Sequence, residues 1–127
     1  MKAALLSVFI AALLAAPIFA ADTNDLKGTW SGNWTPKGGV PDSITVEIKL
    51  DANGKLGGKF LTPAPMDFSK VSFIAKTGML TLEAVDAQSG KHYKVDGKVQ
   101  GTEIKGTFDN NGVMGEVRLI KWTYFGR

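Results

Sequence analysis

Residues 92–119 read HYKVDGKVQGTEIKGTFDNNGVMGEVRL, and this stretch decides the fold of the chain. Apolar residues or glycines alternate with polar residues along it, and a period of two is typical of β-strands that bury one face. The alternation breaks at Gln100-Gly101 and at Asn111-Gly112, which are residues that favour tight turns. The stretch therefore predicts three consecutive antiparallel strands that share one buried face.

The same period of two continues outward from this stretch, and no window after Ala21 keeps the 3.6-residue period of a helix. Turn residues separate the alternating segments, so that the pattern predicts eight strands: Lys27–Thr35, Ser43–Leu50, Lys55–Thr62, Phe68–Lys76, Met79–Asp86, Lys91–Val99, Thr102–Asp109 and Val113–Thr123. A series of hairpins favours an all-β fold, a single eight-stranded antiparallel up-and-down barrel, because closure removes both sheet edges. The alternative is an immunoglobulin-like sandwich, which needs long crossover connections that this chain rarely offers.

The turns also predict which residues face one another inside the barrel. Two-residue loops at four turns predict the buried pairs Tyr93–Phe108, Val95–Gly106, Gly97–Ile104, Phe108–Gly115, Gly106–Val117, Ile104–Leu119, Leu82–Gly97 and Phe73–Leu82. In these pairs each glycine lies beside a large side chain. An apolar-x-Gly-x-aromatic pattern occurs at Leu26–Trp30, Leu56–Phe60 and Ile104–Phe108, and repeated strand glycines favour a strongly coiled sheet.

The three tryptophans, Trp30, Trp34 and Trp122, fall on the first and last predicted strands, which meet if the barrel closes. Core packing at the closure explains them more simply than ligand stacking does. The alternation leaves two arrangements open around Ile120-Lys121-Trp122. Either Lys121 points inward, or a β-bulge shifts Trp122.

The first twenty residues predict an export signal. Met1-Lys2 is a short basic start, residues 3–16 are uncharged and mostly apolar, and a small residue, Ala20, precedes the expected cleavage site. Cleavage after Ala21 is the second choice. The apolar run is too short for a membrane-spanning helix and is interrupted at Pro17, so we expect no stable membrane span. Residues 1–20 are thus expected to be a signal peptide, residues 21–127 one domain, and the protein secreted or periplasmic.

Composition narrows the functional classes. The chain has 15 basic and 12 acidic side chains, and the lysines are interleaved with acids instead of clustered, so we expect no nucleic-acid partner. It has no cysteine and one histidine, His92, which the alternation places on the outer face opposite Asp109. A metal site or a nucleophile-base pair needs more such side chains in one place. We therefore expect no metal, no cofactor and no enzymatic activity.

Gly28-Thr29-Trp30 and the segment DANGKLGGKF at residues 51–60 resemble the strands of short exported bacterial lipocalin-like domains, of the lipocalin and avidin type. The resemblance implies an antiparallel barrel and, in general, no assigned activity. It does not extend to biotin binding, because the avidin-type third strand carries a tyrosine and a serine where this chain has Phe60 and Thr62.

These observations lead to the expectation of an exported, non-catalytic barrel that binds a small, apolar ligand. The connections Pro36–Asp42 and Pro63–Asp67 open at the same end of an up-and-down barrel, and loops are where binding residues concentrate. Trp34 and Phe60 are the expected aromatic contacts at that mouth, with Thr62 as a polar contact. The alternative is a structural or protein-interaction module with a filled interior. The volume of the interior separates the two hypotheses.

Overall fold

Nine antiparallel strands form one curled sheet in a computed structural model that describes residues 22–123. A short 3₁₀ helix, Thr23–Leu26, precedes the strands. The strands are β1 Gly28–Pro36, β2 Asp42–Leu50, β3 Leu56–Thr62, β4 Met66–Asp67, β5 Lys70–Ile74, β6 Met79–Val85, β7 His92–Gln100, β8 Glu103–Asn110 and β9 Val113–Lys121. The predicted all-β antiparallel fold is confirmed, and the predicted signal peptide lies outside the described residues.

The first and last long strands pair with each other in the middle of the hydrogen-bonded order, β4-β3-β2-β1-β9-β8-β7-β6-β5. Gly32 lies opposite Leu119 and Trp34 opposite Val117. The predicted meeting of these strands is therefore confirmed. The strands that end the order are β4 and β5, which are neighbours along the chain.

The predicted fourth strand, Phe68–Lys76, is wrong in its bounds, because this part of the chain forms two strands with a change of partner between them. The backbone N–H of Phe68 donates to Gly58 of β3 at 2.9 Å, and that of Ser69 donates to Glu83 of β6 at 2.7 Å. The chain thus leaves β3 and joins β6 within two residues. A two-residue strand such as β4 is too short to show a period of two. The alternating pattern therefore predicts eight strands, whereas the sheet has nine.

The predicted register is confirmed between β8 and β9, where Phe108 faces Gly115. At three other turns the predicted partners are wrong by two residues. Leu82 faces Val95, and the other observed pairs are Val99–Ile104, Gly97–Gly106, Val95–Phe108, Leu80–Gly97 and Phe73–Leu80. A shift of two keeps every side chain on its predicted face, and therefore the hydrophobic pattern does not distinguish the two registers.

The interior of the curled sheet is filled with apolar side chains. The largest fully buried ones are Trp30, Phe60 and Phe108, and buried leucines, isoleucines and valines from five strands surround them. Among the described residues no charged or polar side chain is buried as a whole. Burial of this apolar surface is the main stabilising contribution to the fold.

The arrangement around Lys121 resolves the alternatives at the end of the last strand. Lys121 lies opposite Trp30 in an unbroken register and faces the interior side. Its Nζ is 5.8 Å from the centre of the Trp30 ring and donates to the carbonyl oxygen of Asp25 at 2.7 Å. Trp122 is on the other face, where its Nε1 donates to Ser31 Oγ at 2.7 Å. No bulge shifts Trp122, and Lys121 covers the Trp30 end of the core.

Candidate functional site

Two of the three predicted binding residues lie in an aromatic cluster at the end of the interior near the β1–β2 connection. Trp34 is 4% exposed and Phe60 is fully buried. The Trp34 ring meets Phe108 edge-on, with ring centres 4.9 Å apart, and Phe60 meets Tyr93 in the same way at 5.1 Å. Phe108 is also 6.0 Å from Phe60. These rings touch one another, as packed core aromatics do.

Thr62, the predicted polar contact, is separated from this cluster by a β-bulge. Thr45 lies opposite Thr62, but the next residue of β2, Val46, lies opposite Phe60, so Leu61 is the extra residue. Thr62 thus pairs with Thr45, whereas Phe60 pairs with Val46 and lies on the interior face. The alternation of the sequence predicts the same face for Thr62 and Phe60, because one inserted residue cannot be recognised from the pattern of so short a strand.

Two buried polar atoms lie among the predicted residues without hydrogen-bond partners in the described part of the chain. They are Nε1 of Trp34 and Oγ1 of Thr62. Buried polar atoms usually have a partner, because an unmade hydrogen bond costs about 1–3 kcal/mol. A depression of about 450 Å³ lies close by, lined by Pro36 and the loop after it, but none of the three predicted residues lines that depression. Ligand contact at Trp34, Phe60 and Thr62 stays a prediction.

A different concavity lies between the start of β3 and β5. It measures about 600 Å³, and we call it the β3–β5 cleft. Its lining residues are Thr23, Gly54, Lys55, Leu56, Gly57, Phe68, Ser69, Lys70, Val71 and Phe73. Known small-molecule sites are about 300–1,000 Å³ in volume, so the cleft has the size of a ligand site.

The cleft exists because the strands on its two sides do not pair with each other. β4 pairs with β3 only at Lys59 and Phe60, so that the start of β3, at Leu56 and Gly57, pairs with β2 alone. On the other side β5 pairs with β6 alone. Two strand edges therefore border one opening. Unpaired strand edges are hydrogen-bonding surfaces in their own right.

The floor of the cleft is apolar and continuous with the core. Leu56, Phe68, Val71 and Phe73 are partly buried and pack against the buried cluster. Phe68 meets Phe60 edge-on, with ring centres 5.3 Å apart, so a predicted binding residue lies directly behind the floor. A ligand on this floor would therefore cover apolar surface that is exposed to water in its absence.

The rim of the cleft is polar and carries positive charge. Two lysines, Lys55 and Lys70, are among the lining residues, and no aspartate or glutamate is. Ser69 uses its hydroxyl within the fold, donating to the carbonyl oxygen of Glu83 at 3.2 Å. The arrangement of an apolar floor with polar groups at its edge suits a small molecule that has an apolar part to lie on the floor.

The alternation does not single out this cleft, but one signal of it is present. Phe68 and Val71, which both line the cleft, are three residues apart, and this interval breaks the period of two. The chain changes its pairing partner from β3 to β6 within that interval, at Phe68 and Ser69.

His92 is exposed, but its predicted partner is wrong. Lys94, and not His92, lies opposite Asp109, because of the two-residue offset between β7 and β8. His92 Nε2 is still 3.9 Å from Asp109 Oδ2 along the diagonal. Within residues 22–123, no group of three His, Asp or Glu side chains could hold a metal ion. In the same range, no helix has both the length and the apolar character needed to cross a membrane.

Comparison of the chain with protein-family models, with curated proteins and with solved structures finds no match in any of the three.

Proposed function

We propose that this protein is a non-catalytic binding protein that takes a small, largely apolar ligand in the β3–β5 cleft. The observation that carries this proposal is the apolar floor of a concavity of about 600 Å³, formed by Leu56, Phe68, Val71 and Phe73. Burying apolar surface contributes about 25 cal/mol per Å² removed from water, and a ligand that covers this floor gains that free energy.

The cleft is a better site than the interior because the interior is filled. Trp30, Phe60 and Phe108 occupy it, and eight-stranded barrels are often just wide enough for their own side chains. Phe60 keeps an indirect role in this proposal, since it packs against the back of Phe68. Trp34 and Thr62 would act only if a ligand also reached the opposite end of the sheet.

We further propose that the curled sheet acts as an eight-stranded barrel whose fourth strand is residues 66–74, bent at Phe68 and Ser69. The pairing of β1 with β9 and the two backbone hydrogen bonds at the bend support this description. The β3–β5 cleft is then the place where the barrel wall is incomplete. The lipocalin-like resemblance is consistent with such a barrel.

Export of the protein is part of the same proposal. Residues 1–20 have the basic start, the apolar run and the small residue of a secretory signal, and cleavage after Ala20 would deliver the domain to the periplasm or the medium. The absence of cysteine leaves the domain to be stabilised by packing and hydrogen bonds alone.

A structural or protein-interaction module is the second candidate, and the filled interior favours it. Several large apolar side chains are exposed on the outer face, among them Trp122 at 64% and Val85 at 55%. Single exposed apolar residues are common on protein surfaces, whereas the cleft brings four together on one floor. We therefore place the ligand-binding hypothesis first.

A fluorescence titration with N-phenyl-1-naphthylamine, a neutral apolar probe, tests the proposed function. We expect saturable binding by the wild-type protein and at least about fivefold weaker binding by Val71→Ser and by Leu56→Ala, because each removes apolar contact worth about 1–3 kcal/mol. Val113→Ser is the matched control, since Val113 is exposed on β9 and does not line the cleft.

Denaturant unfolding of each variant shows whether weaker binding reflects the cleft or a lost fold. Equal affinity of wild type and both cleft variants, with all proteins folded, would overturn the cleft as the site. Absence of probe binding by the wild type would favour the interaction module.

A further inference from the structure

The rim of the β3–β5 cleft carries positive charge that no side chain of the cleft neutralises. Lys55 and Lys70 both line the cleft, and no carboxylate does. Among residues 22–123, neither lysine has a carboxylate oxygen within 4.0 Å of its ammonium nitrogen. The two ammonium groups are thus available to a ligand at the edge of an apolar floor.

Three carboxylates that are near Lys55 or Thr23 in the chain accept hydrogen bonds from backbone N–H groups. Asp51 Oδ1 accepts from the backbone N–H groups of Asn53 and Lys55, at 2.8 Å each, which holds the β2–β3 turn. Beside Thr23, the side chains of Asp22 and Asp25 close a capping box at the 3₁₀ helix. These carboxylates are committed to backbone donors.

Lys70 has an acidic residue as its neighbour across the strand pair. Glu83 of β6 is its cross-strand partner, although the two side chains do not form an ion pair. Glu83 therefore weakens the positive potential at Lys70, and Asp51, whose Oδ1 accepts from the Lys55 backbone N–H, weakens it at Lys55.

The two lysines lie at different places along the apolar floor. Lys55 directly precedes β3, and Lys70 is the first residue of β5. Lysine side chains are long and keep the ammonium group in water, so both lysines can hold their charges at the rim of the cleft.

We infer that the ligand of the β3–β5 cleft is an amphiphile with an anionic head group, its apolar part on the floor and its head group beside Lys55 or Lys70. The inference rests on the proposed function, because it specifies the ligand class of the same cleft. A neutral apolar ligand would leave two positive charges at the rim without partners, whereas a carboxylate, sulfate or phosphate monoester would pair with them.

A competing explanation for the lysines is protection of the strand edges. Charged side chains, and lysine above all, keep exposed edges from pairing with other chains. That role predicts self-association when the lysines are replaced and no preference for anionic ligands, so that one experiment separates the two.

The experiment is displacement of N-phenyl-1-naphthylamine by decanoate and, in parallel, by the neutral decanol. We expect decanoate to bind the wild-type protein more tightly than decanol. The double variant Lys55→Gln/Lys70→Gln should lose about five- to tenfold in affinity for decanoate and keep its affinity for decanol. Raising the salt concentration to about 1 M should produce the same selective loss, because salt screens exposed charges.

The matched control is Lys98→Gln/Lys105→Gln. These lysines are exposed and face each other on β7 and β8, and neither lines the cleft. The control removes the same two charges from the protein, so an unchanged decanoate affinity shows that the effect is local to the cleft.

Equal binding of decanoate and decanol, unaffected by the double variant, would overturn the anionic head group while leaving the cleft as an apolar site. Self-association of the double variant with undiminished decanoate affinity would assign the lysines to edge protection and overturn the inference too. Failure of the probe itself to bind the wild type would instead contradict the proposed function.

Discussion

Gly97 and Gly106 face each other across β7 and β8 on the interior side of the sheet. A Cβ atom added to Gly106 would overlap the carbonyl oxygen of Asp96 and come within 2.5 Å of Gly97 Cα. The obstruction is backbone, which does not move aside as a flexible side chain does. The two strands approach closely here only because both residues lack side chains.

Gly106→Ala should therefore destabilise the fold by about 1–3 kcal/mol, and Gly106→Val by more, since forcing atoms into occupied space strains the backbone. Chemical denaturation measures the effect. Gly57→Ala is the matched control, because a Cβ at Gly57 meets nothing within 4 Å and its change should stay within about 0.5 kcal/mol. Equal stabilities of the two alanine variants would contradict the close approach of β7 and β8.

The three tryptophans should respond differently to replacement by phenylalanine. Trp30 Nε1 donates to the buried carbonyl oxygen of Leu26 at 2.9 Å, so Trp30→Phe should leave that oxygen unpaired and cost about 1–3 kcal/mol beyond the lost packing. Trp34 Nε1 has no partner among the described residues, and Trp34→Phe should cost less. Trp122 is largely exposed, and Trp122→Phe should change stability by about 0.5 kcal/mol or less. Thermal or denaturant unfolding ranks the three, and a larger loss for Trp34 than for Trp30 would contradict the assigned hydrogen bond.

Tyr93 should make stability depend on pH in alkaline solution. Its burial raises the pKa of the Tyr93 phenol above the usual value of 10.0. The folded state holds this proton more tightly than the unfolded state. The contribution of the Tyr93 phenol to the free energy of unfolding is therefore complete below about pH 10 and is lost as the pH rises through the folded pKa. In that window the free energy of unfolding should fall by up to about 1.4 kcal/mol per pH unit.

Tyr93→Phe keeps the ring that packs on Phe60 and Phe108 and removes the titrating group. The variant should lose this part of the alkaline slope, as measured by denaturant unfolding at several pH values. The chain has one other tyrosine, Tyr124, and Tyr124→Phe serves as the control. Parallel stability curves for wild type and Tyr93→Phe would contradict a perturbed Tyr93.

Export should remove residues 1–20, so that the mature protein begins at Ala21. The mass of the intact protein recovered from the periplasm or the medium decides this, because the two forms differ by twenty residues. Placing a charged residue within the apolar run, for example by Leu13→Arg, should disrupt the signal and keep the protein inside the cell. A recovered protein that retains residues 1–20 would refute the export signal.

The local sequence pattern predicts which side chains face inward. Leu80, Leu82, Ile104 and Leu119 are all inward by their place in the alternation, and all are fully buried. Alternation is a property of a single strand, since successive side chains point to opposite faces. The inward set therefore needs no knowledge of how the strands are arranged. The curled sheet follows from the same pattern together with the repeated glycines.

The candidate site was less predictable. Trp34 and Phe60 are buried, and ligand contact at them stays a prediction, whereas Phe73 packs against the buried cluster as expected and also lines the β3–β5 cleft. The cleft joins the start of β3 to β5, and its position depends on where the chain changes partner. The sequence pattern of one strand does not tell which other strands it pairs with, and so it does not tell which strand edges remain unpaired.

The sequence by itself determined seven of the strand segments to within two residues, the buried face and the places of the turns, because each is set by residues that are adjacent in the chain. Only the tertiary structure decided the two-residue offsets, the bulge at Leu61, the bend at Phe68 and Ser69, and the opening between β3 and β5. An offset of two residues leaves every side chain on the same face, and therefore the choice between registers rests on the fit of side chains from different strands. The cleft depends on that fit, because it lies where β3 and β5 do not pair with each other.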